Sequence, residues 1–487
     1  MLIDKIKNTD KKLILRYVIL LILSFRMCCH LFYTMEQEFQ IFRDIEFAKA
    51  IILFLAMIFA YRGFKLKDFR IYIYIVIAAA CYFAYFKVTG ITAESYGADL
   101  LKRYQNYAVM QLMFVGLMLD LIWHKPYKPS CYLKNPVIIA FFLFVIAFFI
   151  CGSNSMIPFI CPFAAFITTK FSDKDKEELT YILCAGAYTA FFKIFTQTLI
   201  QNPDRKNVDR FIGSFLNGGS AAANCGCALV VCIYIFYVFY RKKSKTGMAV
   251  SVIAAIYPIV ALRMLETRAS YFGVFLVIFA CLVFLHGKGK KTTLIRLGTV
   301  TLVAIVGITV LVVAAYIMFR KNELTGAYDD VNYFWFRLMG MFDDECPYET
   351  YFTPGTLIYA IDIVSSGRLV IWYDVIKNMG WFGSNGNHDA PHNLFLQEFV
   401  ANGIVGGTLF LAWYVLYMIY AIKGACSNKK SVTYMFAMLF SIYMFGNFFV
   451  KCLDFNTLGG FFMLIGLAFL IEGKTDVQEQ EEIGREQ

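Results

Sequence analysis

Charge is what this chain has least of. Only 17% of its 487 residues are Asp, Glu, Lys or Arg, against 59% hydrophobic and 18% aromatic. A soluble domain carries about 25% charged and about 45–50% apolar residues. The shortage excludes a soluble enzyme of two or three domains. It also excludes a disordered chain, a collagen and a secreted disulfide scaffold. Paired polar cysteines are missing too. Most of the fourteen cysteines sit in apolar runs (Cys28, Cys81, Cys184, Cys232, Cys281), where cysteine acts as a small hydrophobe. Only Cys346 lies in a long polar stretch, so no disulfide framework is expected. No Walker A loop, dinucleotide fingerprint or Cys/His zinc set occurs. No repeat of solenoid period is visible. The first apolar stretch, about 13–33, is long enough to span a bilayer and lacks a small-residue cleavage site, so no cleavable signal peptide is expected.

What is present is apolar run after apolar run, with a mean hydropathy of +0.60. A spanning helix needs about 20 mostly apolar residues. Fourteen stretches qualify as candidates: 13–33, 47–61, 71–87, 105–123, 136–151, 156–169, 179–200, 213–240, 247–262, 269–286, 297–319, 393–422, 432–450 and 457–471. The sixth is short and holds Pro158 and Pro162, so it also reads as half of a re-entrant pair with the fifth. The expectation is an all-α polytopic membrane protein of twelve to fourteen helices. Its blocks are helices over 1–319, a large loop over 320–391, helices over 392–472 and a charged tail over 473–487.

The net charge of +11 then becomes a statement about orientation. One alternate set of loops, with both tails, carries 27 Lys and Arg; the opposite set carries 15. Short basic loops stay cytoplasmic. Both termini are therefore expected inside and the long loop outside. The excess of base points to membrane orientation, and no nucleic-acid partner is expected. Every inward loop is short, and none holds an Asp-rich nucleotide-sugar site. A donor with its phosphates on the outer face is therefore expected to be lipid-linked.

The outer loop is the chemistry candidate, because about seventy residues exceed what a linker needs. It carries ten acids and five bases, so it is no lipid-binding basic patch. Over 365–380, Ser365 and Ser366 can cap a helix on which Leu369, Trp372, Val375, Ile376 and Met379 share one face. Arg368 falls in the first turn, where a cation opposes the helix dipole. It reads as a solvated surface residue or as an anion contact held there despite the dipole.

A Gly/Asn turn cluster over 380–388 leads to Pro391 and His392, at the mouth of the next apolar helix. A histidine there can serve as a general base or be a plain interfacial residue. His388 and His392 have the spacing of a metal pair, but Pro391 interrupts the helix that would aim them, and beyond Asp389 no third ligand stands nearby. Glu398, further along, is an intramembrane acid; it reads equally as functional or as a structural salt-bridge partner. Two further outward places carry arginines. Arg210 precedes the small-residue run 213–224, which lets a backbone or lipid approach closely. The other is the tight turn 262–273 between two helices, with Arg268 at the start of the second, while Arg263 and Glu266 are placed to pair with each other. Interfacial arginines often only snorkel. Three of them with a histidine, all facing outward, make a phosphate site the sharper reading.

In this order and spacing the residues resemble the O-antigen ligase / O-antigen polymerase superfamily of membrane glycosyltransferases. The elements are Arg210-x-x-Gly213-Ser214-Phe215-x-Asn217, Thr267-Arg268-Ala269-Ser270, Ser366-Gly367-Arg368-x-x-x-Trp372, and His392-Asn393-x-x-Leu396 followed by Gly403–Gly406. They cover roughly 205–415; the first two hundred residues match only as generic membrane helices. Gly218-Gly219 stands where Pro-Asn is common in the family. The resemblance implies an inverting transfer of a glycan from an undecaprenyl-diphosphate carrier on the outer face, without metal, cofactor or nucleotide sugar. It implies that Arg210, Arg268 and Arg368 contact diphosphate or saccharide and that His392 is the catalytic base or orients the acceptor. Asn217, Asn393, Glu398 and Arg263 would support them. It implies as partners the lipid-linked oligosaccharide, membrane lipid, a flippase and a chain-length regulator, at the bacterial inner membrane. Polymerase is favoured over ligase, because the Lys/Ile/Phe/Tyr-rich composition suggests a low-GC bacterium without a lipid A core. A polysaccharide flippase and a peptidoglycan-polymerising glycosyltransferase are the competing classes; the first should lack the large loop, and the second should use an outer-loop acid.

Overall fold

The computed structural model describes residues 11–32, parts of 50–61, 135–150, 171–201, 203, 206–207, 210–211, 218–265, 268–285, parts of 292–306, 368–384, 393–426, 431–446 and 457–470. Its helices are α1 (Lys11–His30), α2 (Pro136–Ile150), α3 (Asp173–Gln201), α4 (Gly218–Arg241), α5 (Lys245–Leu265), α6 (Arg268–Phe284), α7 (Arg368–Lys377), α8 (Leu394–Cys426), α9 (Ser431–Gly446) and α10 (Leu458–Phe469). The strands among the described residues are two minimal antiparallel hairpins: β1 (Lys206–Asn207) with β2 (Arg210–Phe211), and β3 (Met379–Gly380) with β4 (Gly383–Ser384). Among the described residues five helices are long and apolar enough to cross a membrane: Leu13–His30, Asp173–Gln201, Ala221–Arg241, Lys245–Leu265 and Phe395–Cys426. The described chain is an all-α membrane protein.

Most expected segments fall on these helices. Candidate segments 71–87, 105–123 and 156–169 lie outside the described residues, and 47–61 and 297–319 are described only in part. One boundary differs. The third helix starts at Asp173 rather than 179, because its charged first turns are helical too. A reciprocal cap builds that start: Asp175 N–H donates to Ser172 Oγ at 3.2 Å, and Ser172 N–H to Asp175 Oδ2 at 3.3 Å. Of the expected segment 213–240, Gly218 onward is described and is helical; 213–217 lie outside the described residues.

The chain forms two compact units, Met1–Ile278 with Ala412–Gln487, and Phe279–Leu411. The first is held by small residues and buried hydroxyls. Ser24 of α1 donates to the Ile182 carbonyl of α3 at 3.0 Å, where Gly186 leaves room for it. Tyr443 of α9 donates to the Ala223 carbonyl of α4 at 2.7 Å, over Gly226. Gly446 meets Gly273 backbone to backbone. Such close approaches are how helices associate where apolar burial alone gives no preference. Pro258 inside α5 lacks the N–H that would bond the Ala254 carbonyl one turn back. Tyr188 of α3 donates to that carbonyl at 2.8 Å, so the proline's defect becomes a tie between two helices.

Aromatics fill the rest of this unit. Trp413 packs parallel to Phe144 at 6.0 Å and against Phe141 at 5.4 Å, and Tyr417 donates to the Met463 carbonyl at 3.0 Å. By contrast α5 leaves Val252, Ile253, Ile256, Ile259 and Val260 exposed. In water such a stripe is an aggregation liability; against lipid tails it is the ordinary surface of a spanning helix.

Polar groups gather at one end of the unit. Arg16 near the start of α1 donates to the Tyr61 carbonyl at 2.6 Å, and the Tyr61 hydroxyl reaches Asp175 at 2.8 Å and Glu178 at 3.0 Å. Lys242, in the turn after α4, pairs with Glu177 at 3.1 Å. The start of α3 and the α4–α5 turn therefore lie at the same end.

Candidate functional site

The site expected from sequence centres on the start of α8, in the second unit. That helix is not straight. Gly403 interrupts it with φ 67° and ψ −171°. Phe395 and Phe410 are fifteen residues apart, which in a straight helix is about 22 Å of rise. Their ring centroids are 5.7 Å apart. A Cβ on Gly407 would lie 2.4 Å from the Phe399 ring, although those residues are eight apart. The arm 394–402 is therefore bent sharply back over the arm that starts at 404. The expected single span 393–422 becomes a half-helix of nine residues and a longer arm, 404–426, which alone is long enough to cross.

The β3–β4 hairpin fills the bend. The turn between its strands, Trp381-Phe382, lies against Gly403 through its backbone. Val405 N–H donates to the Trp381 carbonyl at 3.2 Å, replacing a helical bond that the bend removes. A Cβ on Gly403 would lie 2.3 Å from Gly383 N, 2.4 Å from Trp381 O and 2.5 Å from Phe382 N. Only a glycine fits there, and only a glycine readily adopts that φ and ψ. Helix α7 thus runs within a few residues into a hairpin seated on the hinge of α8.

The short arm and its cap carry the polar residues Asn393, Gln397, Glu398 and Asn402. Asn393 is 0% exposed and caps it: Leu396 N–H donates to Asn393 Oδ1 at 3.1 Å, and Gln397 N–H to the Asn393 carbonyl at 2.9 Å. Asn393 Nδ2 is buried and has no hydrogen-bond partner among the described residues. Glu398, half-buried, accepts from Nδ2 of the fully buried Asn402 at 2.8 Å. Asn402 was not among the residues singled out from sequence. Its signal was available in the i, i+4 spacing from Glu398.

The remaining expected residues fall as follows. His392 and Asn217 lie outside the described residues. Arg210, Arg268 and Arg368 are placed by their backbones: Arg210 opens β2, Arg268 opens α6 and Arg368 opens α7. Arg263 is exposed in the last turn of α5. The β2 strand adjoins α5, and α6 starts three residues beyond the end of α5. Arg210, Arg263 and Arg268 belong to the first unit; Arg368, Asn393 and Glu398 belong to the second. On α7, Val375 is buried while Leu369 and Trp372 are half-buried. Ile376 departs from the expected common face: it is 59% exposed, beside the equally exposed Tyr373. Met379 lies in β3 rather than on the helix. No family model, curated protein or solved structure matches the chain.

Proposed function

We propose that this protein is a surface-polysaccharide polymerase of the bacterial inner membrane. It transfers a glycan from an undecaprenyl-diphosphate carrier to a sugar hydroxyl on the outer face, with inversion and without metal or nucleotide sugar. In this reading twelve to fourteen helices cross the membrane, both termini are cytoplasmic and 320–391 is outside. A flippase delivers the donor and a chain-length regulator works alongside. The new bond joins the acceptor oxygen to the anomeric carbon. The bond from that carbon to the diphosphate oxygen breaks, and undecaprenyl diphosphate leaves. His392 takes the hydroxyl proton or orients the acceptor. Arg210, Arg268 and Arg368 neutralise the diphosphate as charge develops on it. Asn217, Asn393, Glu398 and Arg263 support them.

The observation that carries this reading is the start of α8. The residue after His392 is a fully buried cap, on an arm bent back at Gly403. The motif residues Asn393, Leu396 and Gly403 thus coincide with one enclosed, sharply shaped feature. A plain interfacial helix has no use for such a bend.

The test is elongation of a lipid-diphosphate-linked repeat unit by purified protein in EDTA. Longer glycan, lost in His392→Ala, is expected. Arg268→Lys should slow it by tenfold or more, since an ammonium cannot replace a bidentate guanidinium (about 1.4 kcal/mol per factor of ten). Movement of the lipid-linked unit without a new glycosidic bond would refute the enzyme reading. Transfer only to an unrelated acceptor would make the protein a ligase.

A further inference from the structure

The mechanism above names Asn393 as a support but gives its side-chain nitrogen no task. Asn393 caps the half-helix with its Oδ1, which accepts from Leu396 N–H at 3.1 Å. That bond fixes which way the amide faces, because a nitrogen in the same place would oppose one donor to another. Nδ2 is therefore held at the same helix end. It is fully buried and without a hydrogen-bond partner among the described residues. A buried amide N–H left without an acceptor keeps its full desolvation penalty, so it calls for an acceptor that is present when the protein works.

The surroundings specify the acceptor's chemistry. The first turn of a helix presents N–H groups that the helix itself does not use. The aligned peptides add a partial positive charge of about half a unit at that end. An orphan amide N–H joins them, so this helix end presents donors and positive potential. Such a place takes an oxyanion, as helix starts commonly do. Broken membrane helices with their N-terminal ends turned into the protein hold anionic groups in the same way. Here the half-helix is nine residues long, and the bend at Gly403 is what turns its start back against the Phe410 arm. The nearest acid along the arm, Glu398, is engaged by Asn402 at 2.8 Å.

We infer that the N-terminus of the 394–402 half-helix, with Asn393 Nδ2, is a phosphate-oxyanion site, and that its occupant is the diphosphate of the polyprenyl carrier. The assignment of the occupant rests on the function proposed above; the donor set does not. Asn393 then has two separable jobs. Its oxygen holds the helix start, and its nitrogen binds the phosphate.

Asn393→Asp separates them. Aspartate caps as well as asparagine, but it removes the donor and sets a carboxylate against the anion. Full-length protein in phosphatidylcholine nanodiscs is titrated with undecaprenyl diphosphate, with inorganic pyrophosphate and with phosphatidylglycerol. The wild type should bind undecaprenyl diphosphate saturably, and Asn393→Asp should weaken that binding by about tenfold or more, the worth of one charge-assisted hydrogen bond. A carboxylate in that fully buried place also carries a desolvation cost, so binding is compared well below each variant's own melting temperature. Asn393→Ser, which also caps but lacks the nitrogen, should lose affinity as well. Equal affinity in wild type and both variants would overturn the site. Equal, Asn393-dependent binding of phosphatidylglycerol or pyrophosphate would overturn the carrier as occupant. Glycan elongation is read separately. Elongation with Asn393-independent binding removes this site and leaves the proposed function standing; Asn393-dependent binding without elongation does the reverse.

Discussion

Replacing Gly403 by alanine should open the α8 bend and dislodge the β3–β4 hairpin. Two costs add at this one position. At φ 67° and ψ −171° the backbone lies in a region nearly reserved for glycine, and a side chain there costs about 1–3 kcal/mol. The new Cβ would also sit 2.3–2.5 Å from three backbone atoms of Trp381, Phe382 and Gly383. Backbone cannot swing aside as a flexible side-chain tip can, so the hairpin must leave. Its departure breaks the 3.2 Å bond from Val405 N–H to the Trp381 carbonyl, worth about 0.5–1.5 kcal/mol net. The sum, about 2–4 kcal/mol, shifts the local opening equilibrium by about 30- to 700-fold.

Hydrogen–deuterium exchange reads this directly. The Val405 amide and the 379–384 segment should exchange faster in Gly403→Ala by a factor in that range. Two further substitutions divide the effect into its causes. Gly383→Ala also faces a glycine φ, of 136°, but its Cβ would meet only the Ala401 carbonyl, at 3.9 Å. It should show the conformational strain without the overlap, and so a smaller change. A Cβ on Gly298 would meet nothing within 4 Å, inside a helix, so Gly298→Ala should be neutral or stabilising by up to about 1 kcal/mol. Unchanged exchange at Val405 in Gly403→Ala would mean that the hairpin does not seat on the bend, and the account of the site would fall.

Other perturbations have equally definite outcomes. Glu398→Gln keeps an acceptor for Asn402 Nδ2 and should leave the melting temperature nearly unchanged, whereas Glu398→Ala leaves that fully buried amide without this bond and should cost about 1–3 kcal/mol; equal melting of the two variants would remove the pair's structural role. Tyr443→Phe should cost about 1 kcal/mol through the lost bond to the Ala223 carbonyl. Gly226→Ala drives a methyl into the Tyr443 hydroxyl and should destabilise more. The two together should cost less than their sum, because the second change removes the atom that the first collides with; strict additivity would refute the contact.

The helices were legible because the bilayer leaves them little choice. Backbone groups in lipid must bond within their own segment, so a spanning run has to be apolar and about twenty residues long. Where charge replaces apolarity the signal fails, as at 173–178, which is helical but too polar for a hydropathy count to include. The bend in α8 was illegible for a different reason. A glycine inside an apolar run is compatible with an unbroken helix, and Gly403, Gly406 and Gly407 have the composition of an ordinary small-residue packing face. What breaks the helix is a backbone about twenty residues upstream, seated where the missing Cβ leaves space. No local pattern in 393–422 encodes that partner. The same dependence explains the amphipathic face on α7. Periodicity groups Ile376 with Val375, yet they are one residue apart and so about 100° apart on the helix; only Val375 finds a buried place. The candidate site was legible as residue types in sequence order, an asparagine after a histidine and glycines a few turns on. Its shape was not, because a cap buried by a fold-back and a polar group left orphaned within it are facts of tertiary contact. That is why the unused Asn393 nitrogen, rather than any motif, makes the sharpest claim about a ligand.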